Sequence, residues 1–190
     1  MKFSKELTYI KDEKIRESAK RLISLLPDYF FCVPASSTGK YHPEFSLGEG
    51  GLYRHTKAAV RIAYELLQIE MYRNYYTDEE KDLIILSLMV HDGLKSGLEH
   101  SKYTKVDHPM LMANFIKDNK DKLELNDKQI SIVTKAIAAH MGEYNKDYDG
   151  NEILPKPKTK LEKFVHMCDY LASRKFLNIK FNENNEIEGD

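Results

Sequence analysis

The stretch that most constrains this chain is residues 83–95, LIILSLMVHDGLK, because it leaves a helix no polar side to expose. Leu83, Ile84, Ile85, Leu86, Leu88, Met89 and Val90 occupy every direction around the axis, so other elements must wrap this segment. It ends on His91 and Asp92. A carboxylate at the inner end of a buried rod loses its hydration, a cost that is met only where a cation or several donors replace the water. A divalent metal would do so. Gly93 reads as a left-handed helix terminus that presents the pair at a rim, and Lys95 follows within reach of the same place. Taken alone, the pair is equally explained by a capping Asp beside a hydrogen-bonded core His.

The flanking segments are helical in pattern. Residues 12–26 carry Ile15, Ala19, Leu22, Ile23 and Leu26 at helical spacing and stop at Pro27. A long loop rich in Gly, Ser and Pro follows to Gly51, and a loop of that length inside a domain is usually functional. A helix over 52–71 puts His55 on its apolar stripe. Thr77, with Asp78, Glu79 and Glu80 behind it, caps the central helix. Pro109 suits a first helical position, which makes His108 the N-cap of the next helix. His140 closes the apolar stripe of a helix over 126–141, and Asp169 lies on the core side of a last helix over about 159–176. Leu177, Ile179 and Phe181 alternate around an Asn-rich turn, compatible with a small terminal β-hairpin. All the long periodic segments have the 3.6-residue period, so the expected class is all-α.

Composition sets the bounds. At 190 residues, 42% hydrophobic and 31% charged, the chain has the profile of one domain spanning 1–190. A net charge of −1 removes the bulk electrostatic case for a nucleic-acid coat protein. Cys32 and Cys168 form neither a zinc pattern nor a disulfide framework, the N-terminus is too charged for a signal peptide, and no apolar run spans a bilayer. The expected location is therefore cytoplasmic, away from membranes. The oligomeric state is not readable.

His55, His91, Asp92, His108, His140 and Asp169 each fall on the inward face, or at the inner end, of a helical segment. One such His is ordinarily a satisfied core residue. Six converging residues are a ligand set: imidazole and carboxylate without thiolate suit manganese, iron, cobalt, zinc or magnesium, and open positions would serve hydrolysis. Six ligands make two divalent ions feasible, with Asp92 as the natural bridge.

This ordered set resembles the HD superfamily of metal-dependent phosphohydrolases, in the form with two additional metal-binding histidines, over roughly 41–175. Locally, GGLYRHT, HDGLK, AIAAHMGEY and LPKPKTKLEKFVHMCDYLASRK are similar to segments of the HD domain of bacterial 3′-to-5′ exoribonucleases. The resemblance implies a compact helical bundle and a phosphoester-hydrolysing site. By position, it implies one metal on His55, His91, Asp92 and Asp169, and another on Asp92, His108 and His140. Two departures bear on substrate: the chain has no room for the exonucleases' additional nucleic-acid-binding fold, and the 93–107 connection is its own.

Hydrolysis by a metal-activated water needs no side-chain nucleophile, and neither cysteine carries a reactive signature. Asp92 and Lys95 are the expected catalytic residues, Lys95 facing the phosphate. His42, His100 and Arg174 are candidates for substrate contact, and Tyr41, His42, Phe45 and Tyr103 for stacking on a base. Lys156, Lys158, Lys160 and Lys163 form a basic stretch that reads as solvated surface, and His166 reads as structural. The expected substrate is a small nucleotide or short oligonucleotide, cleaved as a phosphodiester. The alternatives are a nucleotidase and a non-catalytic nucleotide-sensing module.

Overall fold

The protein is described by a computed structural model covering residues 2–36, 39–175 and 179–188. Among them are seven α-helices: α1 (Glu13–Leu25), α2 (Gly51–Gln68), α3 (Glu70–Arg73), α4 (Asp78–Val90), α5 (His108–Asp118), α6 (Asp127–Ala138) and α7 (Lys160–Ala172). The described residues form no sheet; their only β-pairings are two isolated bridges. α4 packs against α1, α2, α6 and α7, as a helix without a polar side must. Every residue from Asp82 to Val90 is buried. The one carboxylate among them, Asp82, is satisfied by the backbone amides of Lys11 at 3.1 Å and Asp12 at 2.7 Å, which tie the start of α1 to the core. No described helix is long and apolar enough to cross a membrane.

Local sequence sets the helix starts. Thr77, Asn126 and Thr159 each accept from the third helical amide, while Glu80, Gln129 and Glu162 return a bond to the cap, so α4, α6 and α7 all begin in capping boxes. α5 differs from the reading of its sequence. His108 is its first helical residue and Asp107 its N-cap, with no side-chain cap bond, because the His108 ring turns back to the Lys105 carbonyl instead. The helix expected over 52–71 breaks at Ile69, which is extended; no Gly or Pro marks that break, so the apolar period runs through it. Gly93 is also corrected. It is absent from the positive-φ glycines, and its role is space: a Cβ there would lie 2.5 Å from Leu26 Cδ2 and 2.9 Å from Met112 Sδ.

The terminal hairpin is reduced to a single antiparallel bridge, Phe181 to Ile187, around an Asn182 turn. Leu177, expected in it, and Phe176, expected at the end of α7, lie outside the described residues. The long loop before α2 is fastened at both ends. Cys32 and Val33 carbonyls accept from Gly50 and Leu52, and the Tyr41 carbonyl accepts from Lys175 just past α7, which carries Tyr41 and His42 over the inner end of α4.

Candidate metal centre

Six of the seven histidines gather at the end of α4; His100 alone stays away, stacked on Tyr29 with ring centroids 4.8 Å apart. The hub is Asp92. Its Oδ1 lies 3.0 Å from His108 Nε2 and 3.6 Å from His140 Nε2, and its Oδ2 lies 3.6 Å from His91 Nε2 and 3.8 Å from His55 Nε2. Asp169, on α7, brings Oδ1 to 2.9 Å from His55 Nε2 and 3.2 Å from His91 Nε2. The four histidines and Asp92 are all buried. Lys95 donates to Asp92 Oδ2.

Backbone geometry aims the rings. His91, His108 and His140 each bind, through Nδ1 at 2.7 Å, the carbonyl three residues earlier: Leu88, Lys105 and Ile137. The Lys105 and Ile137 carbonyls also accept from the His108 and His140 backbone amides, so each of these rings shares its carbonyl with its own amide and is held with Nε2 pointing inward. An imidazole whose Nδ1–H is held by a carbonyl is the usual orientation of a metal-ligating His.

Charge balance then tests whether a cation fits. Burial, with His140 and Lys95, lowers the His108 pKa against the pull of Asp92, so this ring is neutral at pH 7 and its Nε2 is a lone pair facing a carboxylate oxygen. Two acceptors 3.0 Å apart repel unless something positive lies between them. A cation held by both atoms would relieve that repulsion. Asp92 Oδ1, His108 Nε2 and His55 Nδ1 are buried and have no hydrogen-bond partner among the described residues. Burial would raise the Asp92 and Asp169 carboxyls, but Lys95 and His91 hold Asp92, and His91 and His55 hold Asp169, well below the carboxylate range. Burial likewise opposes charge on His91, yet Asp92 and Asp169 raise its pKa. A field of that sign at His91 Nε2 favours a positive charge there, whether a proton or a metal ion. Two overlapping groups could hold a metal ion, His55 with His91 and Asp169, or His91 with Asp92 and His140; they share His91, whose Nδ1 is committed to the Leu88 carbonyl.

A cavity of about 390 Å³ opens over these groups, with His42, Lys95 and Arg174 in its wall. Burial, then His55 and Lys95, lower the His42 pKa to about 4, so this ring is a neutral hydrogen-bonding group. Three expectations fail here. His100 does not reach the cavity, Phe45 is buried in the core, and Tyr103 lines a separate depression on the 101–107 segment. The basic stretch is surface, as read from the sequence, and part of it is paired: Lys156 with Glu143 and Glu152, and Lys160 with Glu80. Conversely, Met141, Tyr144, His166 and Tyr170 line the cavity without having been singled out for it. A larger, shallower depression of about 870 Å³ lies near Arg54 and the C-terminal tail and contains none of the candidate ligands.

The HD domain family matches the chain over residues 52–174, which takes in all six candidate ligands. No curated protein and no solved structure matches it significantly.

Proposed function

The chain belongs to the HD domain family of metal-dependent phosphohydrolases, and on that premise we propose that it hydrolyses a nucleotide-type phosphoester, a small phosphodiester in preference to a monoester. The observation that carries this reading is the crowding of buried acceptor atoms around Asp92 with too few donors to satisfy them. In it, His55, His91, Asp92 and Asp169 hold one divalent ion, and Asp92, His108 and His140 a second, of manganese, iron, cobalt, magnesium or zinc. Such ions, when bound, acidify water and polarise the phosphoryl group. The protein's own groups do the rest. Lys95 places an ammonium beside Asp92 to balance phosphate charge, while His42 and Arg174 close the wall around the substrate. A thiol nucleophile has no place in the scheme: burial, then Asp169, push the Cys168 pKa far up, and Cys32 is exposed outside the cavity.

The diester preference rests on reading GGLYRHT, HDGLK and AIAAHMGEY as resembling exoribonuclease HD segments, a finer likeness than the HD family match itself. Substrates of this kind include a short oligonucleotide, a cyclic nucleotide and a dinucleotide. The size of the cavity, about 390 Å³, favours a second reading, a nucleotidase acting on nucleoside phosphates, because it is at the small end of the roughly 300–1,000 Å³ of ligand pockets. Turnover with manganese or cobalt across matched diesters and monoesters decides between them. Activity confined to nucleoside monophosphates rejects the diester preference, and no hydrolysis with any divalent metal leaves a sensing module.

Lys95→Ala should lower kcat about 100-fold with bound metal retained, because the ammonium balances developing charge without being a ligand. Kinetics paired with elemental analysis checks this. Metal lost together with activity would mean that Lys95 serves to hold Asp92.

A further inference from the structure

The cavity over Asp92 and Asp169 offers more than a phosphate needs. Its mouth carries Tyr41, Tyr144 and Tyr170, which are 54%, 58% and 39% exposed, from three separate segments of the chain. Exposed aromatic rings contribute little to folding, and three around one opening mark a surface kept for a ligand. Their backbones are held in place. Tyr41 is tied to Lys175, and the Tyr144 amide bonds to the Met141 carbonyl at 3.0 Å. The next residue, Asn145, is buried with its side-chain amide on the Leu154 carbonyl at 3.1 Å. Tyr170 projects from α7, one of its ring faces covered by the Arg174 guanidinium at 4.2 Å from the centroid. Arg174 is itself steadied by Ser173 Oγ at 2.9 Å.

His166 is fixed deeper in the same wall. Its Nδ1–H donates to the His140 carbonyl at 2.6 Å, which leaves Nε2 as an acceptor. Gly142 presses on the ring so closely that a Cβ there would lie 2.2 Å from His166 Cε1. The ring is thus packed against the Gly142 backbone and oriented by its bond to the His140 carbonyl. Aromatic faces, a fixed acceptor and two cations, Lys95 and Arg174, around one small opening match a base, a sugar and a phosphate in one unit.

We infer that this cavity is a nucleoside subsite, in which one nucleobase stacks on Tyr144 and Tyr170, a sugar or base donor meets His166 Nε2, and the phosphate lies over Asp92. This rests on the phosphoester function proposed above and deepens it: the substrate is recognised by its base, one nucleotide at a time, and a sugar phosphate is a poor ligand. Tyr144 is the specificity-determining residue, and its exposure means that truncation costs the fold little.

The test is calorimetric titration of the manganese-loaded protein with adenosine 5′-monophosphate and with ribose 5-phosphate, which differ only in the base. The wild type should bind the nucleotide at least about tenfold more tightly, the scale of a single stacking contact. Tyr144→Ala should bring that ratio toward one, and Tyr144→Phe, which keeps the ring, should restore it. A wild-type ratio near one, a ratio unchanged in Tyr144→Ala, or no measurable nucleotide binding overturns the inference. Base discrimination without turnover of any diester keeps the subsite and rejects the diester reading; diester turnover with a ratio near one does the reverse.

Discussion

Asp92→Asn should reduce kcat/KM by about 10³-fold or more and strip the protein of most bound divalent metal, while the helical circular dichroism is retained. The two isosteres differ in little but charge and a pair of N–H donors. Asp92 stands between Oδ1 contacts to His108 and His140 and Oδ2 contacts to His91 and His55, so one carboxylate faces four candidate ligands. Neutralising it removes the charge that draws a cation to both groups, and the amide nitrogen turns a donor toward imidazole nitrogens that ligate only as acceptors. The magnitude follows from losing electrostatic stabilisation in a buried site, where removing a single aligned donor already costs 10²- to 10³-fold. The fold survives because the change relieves a buried charge whose balance depends on Lys95 and His91. Elemental analysis and steady-state kinetics on one preparation read both effects. Full metal content with a tenth or more of the activity would remove Asp92 from the centre of the site.

What the sequence made legible depended on periodicity. His55, His140 and Asp169 sit on or at the end of apolar stripes, and His91 and Asp92 end a helix that has no exposed side, so their inward direction follows from the helical period. The cap at Thr77 was equally readable, since it is a local pattern of a few residues. Residues placed by tertiary contact were not. Tyr144 follows the end of α6 in a turn, outside any periodic segment, and Tyr170 is on the exposed side of α7, where its four-residue spacing from His166 and Arg174 reads as ordinary helix surface. His166 looked structural because its ring does serve the His140 carbonyl; its second role depends on where Gly142 passes. His100 shows the opposite failure: it is a histidine near the ligands in sequence that Tyr29 holds elsewhere by stacking. Gly93 was assigned to the wrong cause, because sequence does not separate a glycine needed for its φ from one needed for lack of a side chain.

That distinction yields the second large effect, at Gly51. An alanine there would place its Cβ 2.2 Å from the Ser46 carbonyl oxygen, 2.6 Å from the Ser46 carbonyl carbon and 3.1 Å from Pro34 Cα. All three are backbone atoms, so no rotamer change relieves the clash. The Ser46 carbonyl is also committed, accepting from Ala35 at 3.0 Å, while the Ser46 hydroxyl bonds to the Pro43 carbonyl at 2.8 Å. Relief must therefore displace the start of α2 or break the loop away from it. Gly51→Ala should destabilise the protein by about 3 kcal/mol, the upper end of overpacking costs. For a chain of this size that corresponds to a fall in Tm of about 6–12 °C. Because His55 lies one helical turn further along α2, metal affinity should fall as well. Gly48→Ala is the matched control: its φ is +66° but nothing lies within 4 Å of the added Cβ, so it carries only the left-handed penalty of about 1–2 kcal/mol. Thermal unfolding of the two variants separates room from conformation. A Gly51→Ala protein melting within 2 °C of the wild type, or above the Gly48→Ala control, would show that the loop and helix are not packed backbone to backbone at this point.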